Sequence, residues 1–257
     1  MTRKLLLALP ALLACCAAQA GPTRMMMPED TQDMYFGLAL NDLVHDKRSG
    51  RGTTALPTLW VQWSSGAFLD LNSEDGLGLG WHLSDDPAFE YGPQLRFSSK
   101  EQRSDTPGQR GGLASEAGLF LTYRVEHNIS AGAQVMGSSG SNGLGLRAHL
   151  WTEASTPVAA HHTLSLGAGL LLANQRYLQE YFGVTARQAS VEANPLYAPR
   201  QGVLSLYLQP SWGWQLGNKY TLDTWLRVSR LGGQAAASPL VGQRNRAIVS
   251  TALSYHY

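Results

Sequence analysis

Cysteine is almost absent from this chain of 257 residues, because the only two are Cys15 and Cys16. Both lie within residues 1–20, in a segment that has the features of a secretory signal. If that segment is removed, no thiol remains, which excludes a disulfide framework, a cysteine-ligated metal and a cysteine nucleophile. Lipidation of Cys15 is the alternative, and it would keep a cysteine only as a membrane anchor.

The N-terminus predicts export from the cytoplasm. A basic start is followed by an apolar stretch at 5–14 and by an Ala-Gln-Ala box at 18–20. This order is typical of a cleaved signal peptide, and the apolar stretch is too short to span a membrane. We therefore expect residues 1–20 to be removed and residues 21–257 to form a single domain.

Charge of one sign is lacking as well. Charged residues make up 15% of the chain and give a formal net charge of +1, which the loss of Arg3 and Lys4 with the signal would turn to −1. A balance this even gives no indication of nucleic-acid binding.

Long hydrophobic runs are missing after the signal. No apolar stretch approaches the roughly 20 residues that a membrane-spanning helix needs. If the protein crosses a membrane, it does so with strands.

What the chain does have is alternation of apolar with small or polar residues, the period of a strand with two unlike faces. The alternation is clearest at 116–126, 143–151, 163–172 and 220–229, and it is weaker at 59–63, 77–81, 91–97, 129–135 and 204–214. Short segments at 34–42 and 66–72, with the C-terminal strand at 249–257, bring the total to about twelve strands. Pro210 cannot donate to a ladder and predicts a bulge or a local break in its strand.

Two all-β architectures compete for this pattern. In a soluble sandwich the polar faces would meet water, but these faces are rich in glycine and suit a crowded interior better. In a transmembrane barrel the apolar faces form an outer belt with aromatics at the two interfaces. Aromatic residues lie on the apolar phase, most of them near strand ends, at Trp63, Trp81, Tyr123, Trp212, Trp214, Tyr220, Tyr255 and Tyr257. The sequence therefore favours an all-β fold, a closed antiparallel transmembrane β-barrel over residues 21–257, located in the cell outer membrane.

Closure of this barrel explains why the strand pattern continues to Tyr257. Lipid cannot satisfy a free sheet edge, so the last strand must pair with the first, with Tyr257 as the barrel-closing residue. The connections agree with this arrangement, because long polar segments and tight turns alternate along most of the chain. The segments 83–88 and 152–160 are predicted as looser connections among the tight turns.

The segment 181–202 resembles the MltA-interacting protein family, also called MipA/OmpV. The matching residues include Tyr181, Phe182, Gly183 and Tyr197, and further matches lie at 116–124 and 229–246. The resemblance implies an outer-membrane barrel. Hydrolases with serine and histidine on such a barrel exist, but no Ser-His-acid spacing can be argued from this sequence, so we expect neither an enzyme nor a cofactor. The resemblance also implies a scaffold role that links a lytic transglycosylase to a peptidoglycan synthase in murein assembly.

The polar phase carries charges that would face the barrel interior. They are Glu90, Arg96, Glu116, Arg124, Glu126, Arg147, Asp223 and Arg227. Rings of charged side chains select solutes in pores, so a narrow solute channel is the alternative function. Paired charges would instead seal the interior, and a barrel of about twelve strands is compatible with both.

Three other segments suggest sites. His161 and His162 are adjacent, so on a strand they point to opposite faces and would not chelate one metal together. The basic run at 46–52 would suit lipopolysaccharide phosphates, or it is simply a solvated loop. The segment 179–192 is predicted to form a short helix that either covers the barrel mouth as a lid or only packs its own loop.

Overall fold

The computed structural model describes residues 31–43, 53–72, 76–99, 113–126, 128–140, 143–186, 188–189 and 194–256. The signal segment, the basic run at 46–52 and Tyr257 lie outside these described residues. No helix in the described ranges has the length and hydrophobicity needed to cross a bilayer.

Twelve antiparallel strands form one closed barrel, as the alternation predicts. The strands are β1 Thr31–Leu43, β2 Thr54–Trp63, β3 Ala67–Asn72, β4 Gly76–Trp81, β5 Phe89–Ser99, β6 Leu113–Glu126, β7 Ile129–Gly140, β8 Gly143–Ala159, β9 His162–Ala173, β10 Gly202–Leu216, β11 Tyr220–Leu231 and β12 Asn245–His256. Short helices in the connections include α1 Gln175–Phe182 and α2 Gly233–Ala236. Residues 186, 188 and 189 are helical as well.

Closure joins the first strand to the last. β1 pairs with β12 in a register that sets Leu38 opposite Leu253 and Tyr35 opposite His256. The weak alternation at 34–42 is thus a full strand of 13 residues. No edge of the sheet is left along this seam, which is the condition for a β-sheet to lie in lipid.

The two ends of the barrel differ in their connections. Tight turns such as Ser64–Gly66 and Gly217–Lys219 lie at one end, which we call the short-turn end. The connections with α1 and α2 lie at the other, which we call the long-loop end. Glycine is required in both of these turns, because the φ angles of Gly66 and Gly217 are +87° and +81°.

The predicted connection at 152–160 is wrong, because β8 continues through it to Ala159. Its last residues extend beyond β7, whose pairing with β8 ends at Ile129 and Ala154. Pro157 is tolerated there because this part of β8 has no β7 residue beside it. Only Ala160 and His161 remain for the turn, and His162 begins β9, so the histidine pair is a turn and strand-start pair.

Pro210 interrupts one ladder, as predicted, without a bulge. β10 and β11 pair up to Leu208 and Val228, and again from Ser211 and Trp225, in an unchanged register. The register shift of β10 lies elsewhere, where it faces β9 between Val203 and Ser205.

The apolar phase of the strands faces outward. Leu119, Val135 and Leu206 are each at least half exposed, and they lie on the phase opposite the interior charges. In lipid this surface is the hydrophobic belt. Three predicted interface aromatics, Trp81, Tyr123 and Tyr220, are between 46% and 48% exposed on the same surface.

Glycines on the inner phase make room for aromatic rings from neighbouring strands. A Cβ at Gly80 would overlap the ring of Phe68, one at Gly132 the ring of Trp151, and one at Gly169 the ring of Tyr207. The glycine-rich face is therefore a crowded interior, which is the reason that the sequence favours a barrel over a sandwich.

Candidate functional site

The most buried charge pair of the interior joins β6 to β8. The Arg147 guanidinium donates to both carboxylate oxygens of Glu116, with Nε at 3.2 and 3.0 Å and a terminal nitrogen at 2.8 Å. The side chains are 12% and 1% exposed. The pair crosses over β7, so it binds two strands that are not neighbours in the sheet.

A second pair has the same form on β3 and β5. Arg96 donates to Asp70 at 3.2 Å, and each side chain is 13% exposed. β4 passes between them at Gly78, where a Cβ would lie 3.5 Å from an Asp70 carboxylate oxygen. Asp70 was not among the predicted interior charges; the only signal for it is its place on the polar phase of the short segment 66–72.

A third pair lies nearer the short-turn end. Arg124 donates to Glu90 at 2.8 Å and to the carbonyl oxygen of Pro87 at 2.6 Å. Its side chains are more exposed, at 33% and 22%. The pair therefore fixes the 82–88 connection to the barrel as well as joining β5 to β6.

Arg227 makes contacts of another kind. Its Nε donates to Gln209 at 2.7 Å, and its Cζ lies 4.4 Å from the centroid of the Tyr207 ring. The Tyr207 hydroxyl is in turn 2.9 Å from Nε2 of His149. The side chains of Arg227, Tyr207 and His149 thus form a row from β11 to β8 over Gly169, and this row covers part of the inner wall.

The two remaining predicted charges lie apart from these pairs. Asp223 on β11 is 8% exposed, and it lies opposite Gly213 of β10 and Ala252 of β12. Glu126 is not an interior residue, because a register shift after Arg124 ends the alternation and leaves Glu126 exposed at the end of β6.

Aromatic rings fill the interior near the short-turn end. Phe68 stacks on Trp60 with a centroid distance of 5.3 Å and meets Phe120 edge-on at 5.6 Å. His82, just after β4, joins them at 4.9 Å from Phe68, and burial lowers its pKa. Of this cluster, Phe120 lies on the polar phase of the clear alternation at 116–126.

At the long-loop end, α1 packs onto the barrel. Asn174 caps the helix by accepting from the backbone N–H of Tyr177 at 2.8 Å. The helix buries Tyr177, Leu178, Tyr181 and Phe182 in a cluster that also contains Ala173, Leu204, Leu231 and Ala235. The backbone of Tyr177 lies close to Gly145, on the inner phase of β8. A Cβ at Gly145 would lie 3.2 Å from the Cα atom of Tyr177.

The helical structure agrees in part with the helix predicted at 179–192. α1 begins earlier, because Asn174 supplies the cap, and it ends at Phe182 before Gly183. Residues 186, 188 and 189 are helical as well, and residues 187 and 190–192 lie outside the described residues. Tyr181 and Phe182 do fold against the barrel mouth, together with Tyr177 and Leu178.

The motif residues tie two long connections together. Val184 and Tyr197 form a β-bridge within the first connection. The Tyr197 hydroxyl donates to the carbonyl oxygen of Gln234 in α2 at 2.7 Å, and Ser238 Oγ donates to the carbonyl oxygen of Phe182 at 2.7 Å. Burial raises the pKa of the Tyr197 hydroxyl above its ordinary value. Tyr181, Phe182 and Tyr197 thus serve one packed cap of the barrel mouth, formed by α1, α2 and their loops.

The chemistry available in this interior is that of charge pairs and hydrogen bonds. In the part of the chain that the structure describes, no group of three or more histidine and acidic residues is placed to hold a metal ion. The ion pairs and hydrogen bonds fix the strands to one another, and the cap formed by α1, α2 and their loops covers the barrel mouth.

Comparison with known proteins agrees with this architecture. The model of a family described as "MltA-interacting protein MipA" matches residues 35–257. Among solved structures, the NanC porin is 9% identical, with a TM-score of 0.53 over 86% of this chain and 98% of that one. A bacterial polysaccharide outer membrane secretin is 10% identical, with a TM-score of 0.48 over 90% of this chain and 100% of that one. No curated protein matches the chain significantly. At 9% identity the NanC structure supports the fold alone, that of a closed β-barrel.

Proposed function

This chain belongs to the MltA-interacting protein MipA family, and from that premise we propose that it is a non-enzymatic docking protein for murein enzymes. The protein is an outer-membrane β-barrel. In the proposed role it holds a murein transglycosylase at the membrane, and a peptidoglycan synthase is the second partner that the family resemblance implies. The interior charges then serve stability rather than transport.

The observation that carries this proposal is the occupied interior. Ion pairs Arg147–Glu116 and Arg96–Asp70 cross over intervening strands, with each side chain 13% exposed or less. The cap closes the long-loop end, and within it the Phe182 side chain is fully buried. A barrel filled in this way supplies a rigid anchor, and a partner would bind to its ends.

The short-turn end offers the surface for such a partner, because outer-membrane barrels place their short turns in the periplasm. Two features project there. The β8–β9 hairpin extends beyond β7 and exposes Val158. The 82–88 connection exposes Leu83, Asp85 and Asp86. Murein enzymes work in the periplasm, so this end would face them.

Cross-linking from single cysteines tests the proposal. With the signal removed, the chain would have no other thiol, so Val158→Cys and Asp85→Cys each give one attachment point. We expect both to form adducts with a murein transglycosylase in intact envelopes. Leu196→Cys, exposed at the long-loop end, is the matched control and should form none. Adducts only from Leu196→Cys, or adducts without a transglycosylase at all three positions, would contradict the proposal.

A narrow solute channel is the second candidate function, and the inner face of β10–β12 favours it. The inner phase of β10–β12 carries small buried polar residues, among them Ser205, Ser211, Thr221 and Ser250. Asp223 lies between them, and a charged residue inside a membrane protein often marks an ion or substrate path. NanC, which has a similar fold, is a porin, and this agrees with the channel candidate. If the protein is a channel, Arg124→Ala or Arg147→Ala should alter its conductance or selectivity.

A further inference from the structure

A depression on the outer surface of β8–β11 is the feature with no place in the proposed function. It encloses about 750 Å³ and is lined mainly by residues of the outward phase. Its floor contains two small side chains that are paired across the sheet, Ala168 and Thr152. Larger side chains rise around them, at Leu150, Leu206 and Leu208, all of them exposed. We call this depression the outer groove.

The outer groove lies in the hydrophobic belt, where its natural occupant is apolar. Its lining is almost entirely apolar, and its flanking leucines belong to the surface that lipid covers. An extended peptide segment would bring backbone N–H and C=O groups into this lining without partners, which is strongly unfavourable in lipid. A hydrocarbon chain has no such groups, and the small floor residues leave room for it.

One end of the outer groove carries a cation. Arg230 lines the groove, is exposed and is the next-to-last residue of β11, beside Asn245 of β12. Within the described residues, the Arg230 side chain makes no ion pair or hydrogen bond. The position of Arg230 near the long-loop end places its guanidinium at the level where a bilayer changes from hydrocarbon to headgroups. A cation at this level is available to a ligand of the membrane.

We propose that the outer groove is a lipid-binding site, in which an acyl chain lies over Ala168 and a phosphate headgroup pairs with Arg230. An arginine fork matches two phosphate oxygens, and the pair is strongest where water is partly excluded. Long loops of outer-membrane barrels face outward, so Arg230 would lie in the outer leaflet. The occupant is therefore the phosphorylated acyl glycolipid of that leaflet, of the lipid A class.

The lipid site goes beyond docking of murein enzymes and shares with it only the orientation of the barrel in the outer membrane. If no position cross-links to a transglycosylase, the lipid site stays intact, and failure of the lipid test leaves the docking role intact. Adducts only from Leu196→Cys would contradict both, because they would place the long-loop end in the periplasm.

Native mass spectrometry of the folded barrel tests the site, with diphosphoryl lipid A as the probe. We expect the wild-type chain to retain one lipid A, and dephosphorylated lipid A to bind about tenfold more weakly. Arg230→Ala should weaken binding of diphosphoryl lipid A by about tenfold, because it removes the phosphate partner. Ala168→Leu should also reduce binding, because it fills the floor. Heat-modifiable migration on a gel shows that each variant has folded.

Two matched controls separate the site from general effects of charge and surface. Arg200→Ala removes an exposed arginine of the long-loop end that does not line the groove, and Ala117→Leu adds the same bulk to the outward face of β6. Both should bind as the wild type does. Unchanged binding in folded Arg230→Ala or Ala168→Leu, or equal binding of the dephosphorylated lipid, would overturn the proposal.

Discussion

Replacing Glu116 by alanine is expected to destabilise the barrel by about 3–5 kcal/mol, the usual cost of removing one partner from a buried ion pair. The change leaves the Arg147 guanidinium, 12% exposed, without the carboxylate to which it donates at 2.8–3.2 Å. The free energy of unfolding, measured by urea titration of the barrel in lipid vesicles, gives the effect.

Two comparisons make this prediction specific. Glu126→Ala changes the same residue type on the same strand at an exposed position, and we expect an effect within about 0.5 kcal/mol. Glu116→Met combined with Arg147→Met removes both charges and should recover most of the lost stability, because an apolar pair leaves no buried charge unpaired. If Glu116→Ala and Glu126→Ala destabilise equally, the interior pair does not stabilise the barrel as described.

Replacing Phe182 by alanine is the second large effect that we expect, at about 3–5 kcal/mol. Phe182 is fully buried between α1 and the barrel mouth, and its carbonyl oxygen accepts from Ser238. Loss of the ring leaves a cavity among Leu178, Leu204 and Leu231, all members of the same cluster. The cap should then open at lower denaturant than the strands, which limited proteolysis of α1 would detect.

The matched control is Leu196→Ala in the same connection. Leu196 is 67% exposed, so its removal should change the unfolding free energy and the proteolysis rate very little. Equal sensitivity of both variants to protease would mean that the connection as a whole is loose and that α1 is not a packed cap.

The alternation predicts the barrel well because lipid imposes one rule on every strand. Residues that face lipid must be apolar, and in a closed sheet this fixes which alternate residues of each strand point outward. The rule identifies even the weak strand β1, and it places Arg147, Glu116 and Arg227 on the inner face. It fails at β8, where residues 155–159 extend beyond β7 and are free of this constraint, so that the segment looks like a connection.

The pairing of interior charges could not be predicted in the same way. Arg96 and Asp70 are 26 residues apart, and their side chains meet across β4 at Gly78. The contact of Tyr207 with His149 depends on Gly169, where a Cβ would overlap the Tyr207 ring. Which residues of second-neighbour strands meet follows from register, and a single sequence gives register only through its turns and faces. The cap was predicted in part, since the family motif marks Tyr181, Phe182 and Tyr197 without indicating what they contact.

Single-channel conductance of the refolded protein in a planar bilayer tests most directly whether the interior is occupied. The account predicts a barrel that migrates in the heat-modifiable way of a folded protein and remains electrically silent. Stable and reproducible openings, altered by Arg124→Ala or Arg147→Ala, would contradict it and would assign the interior charges to a solute channel.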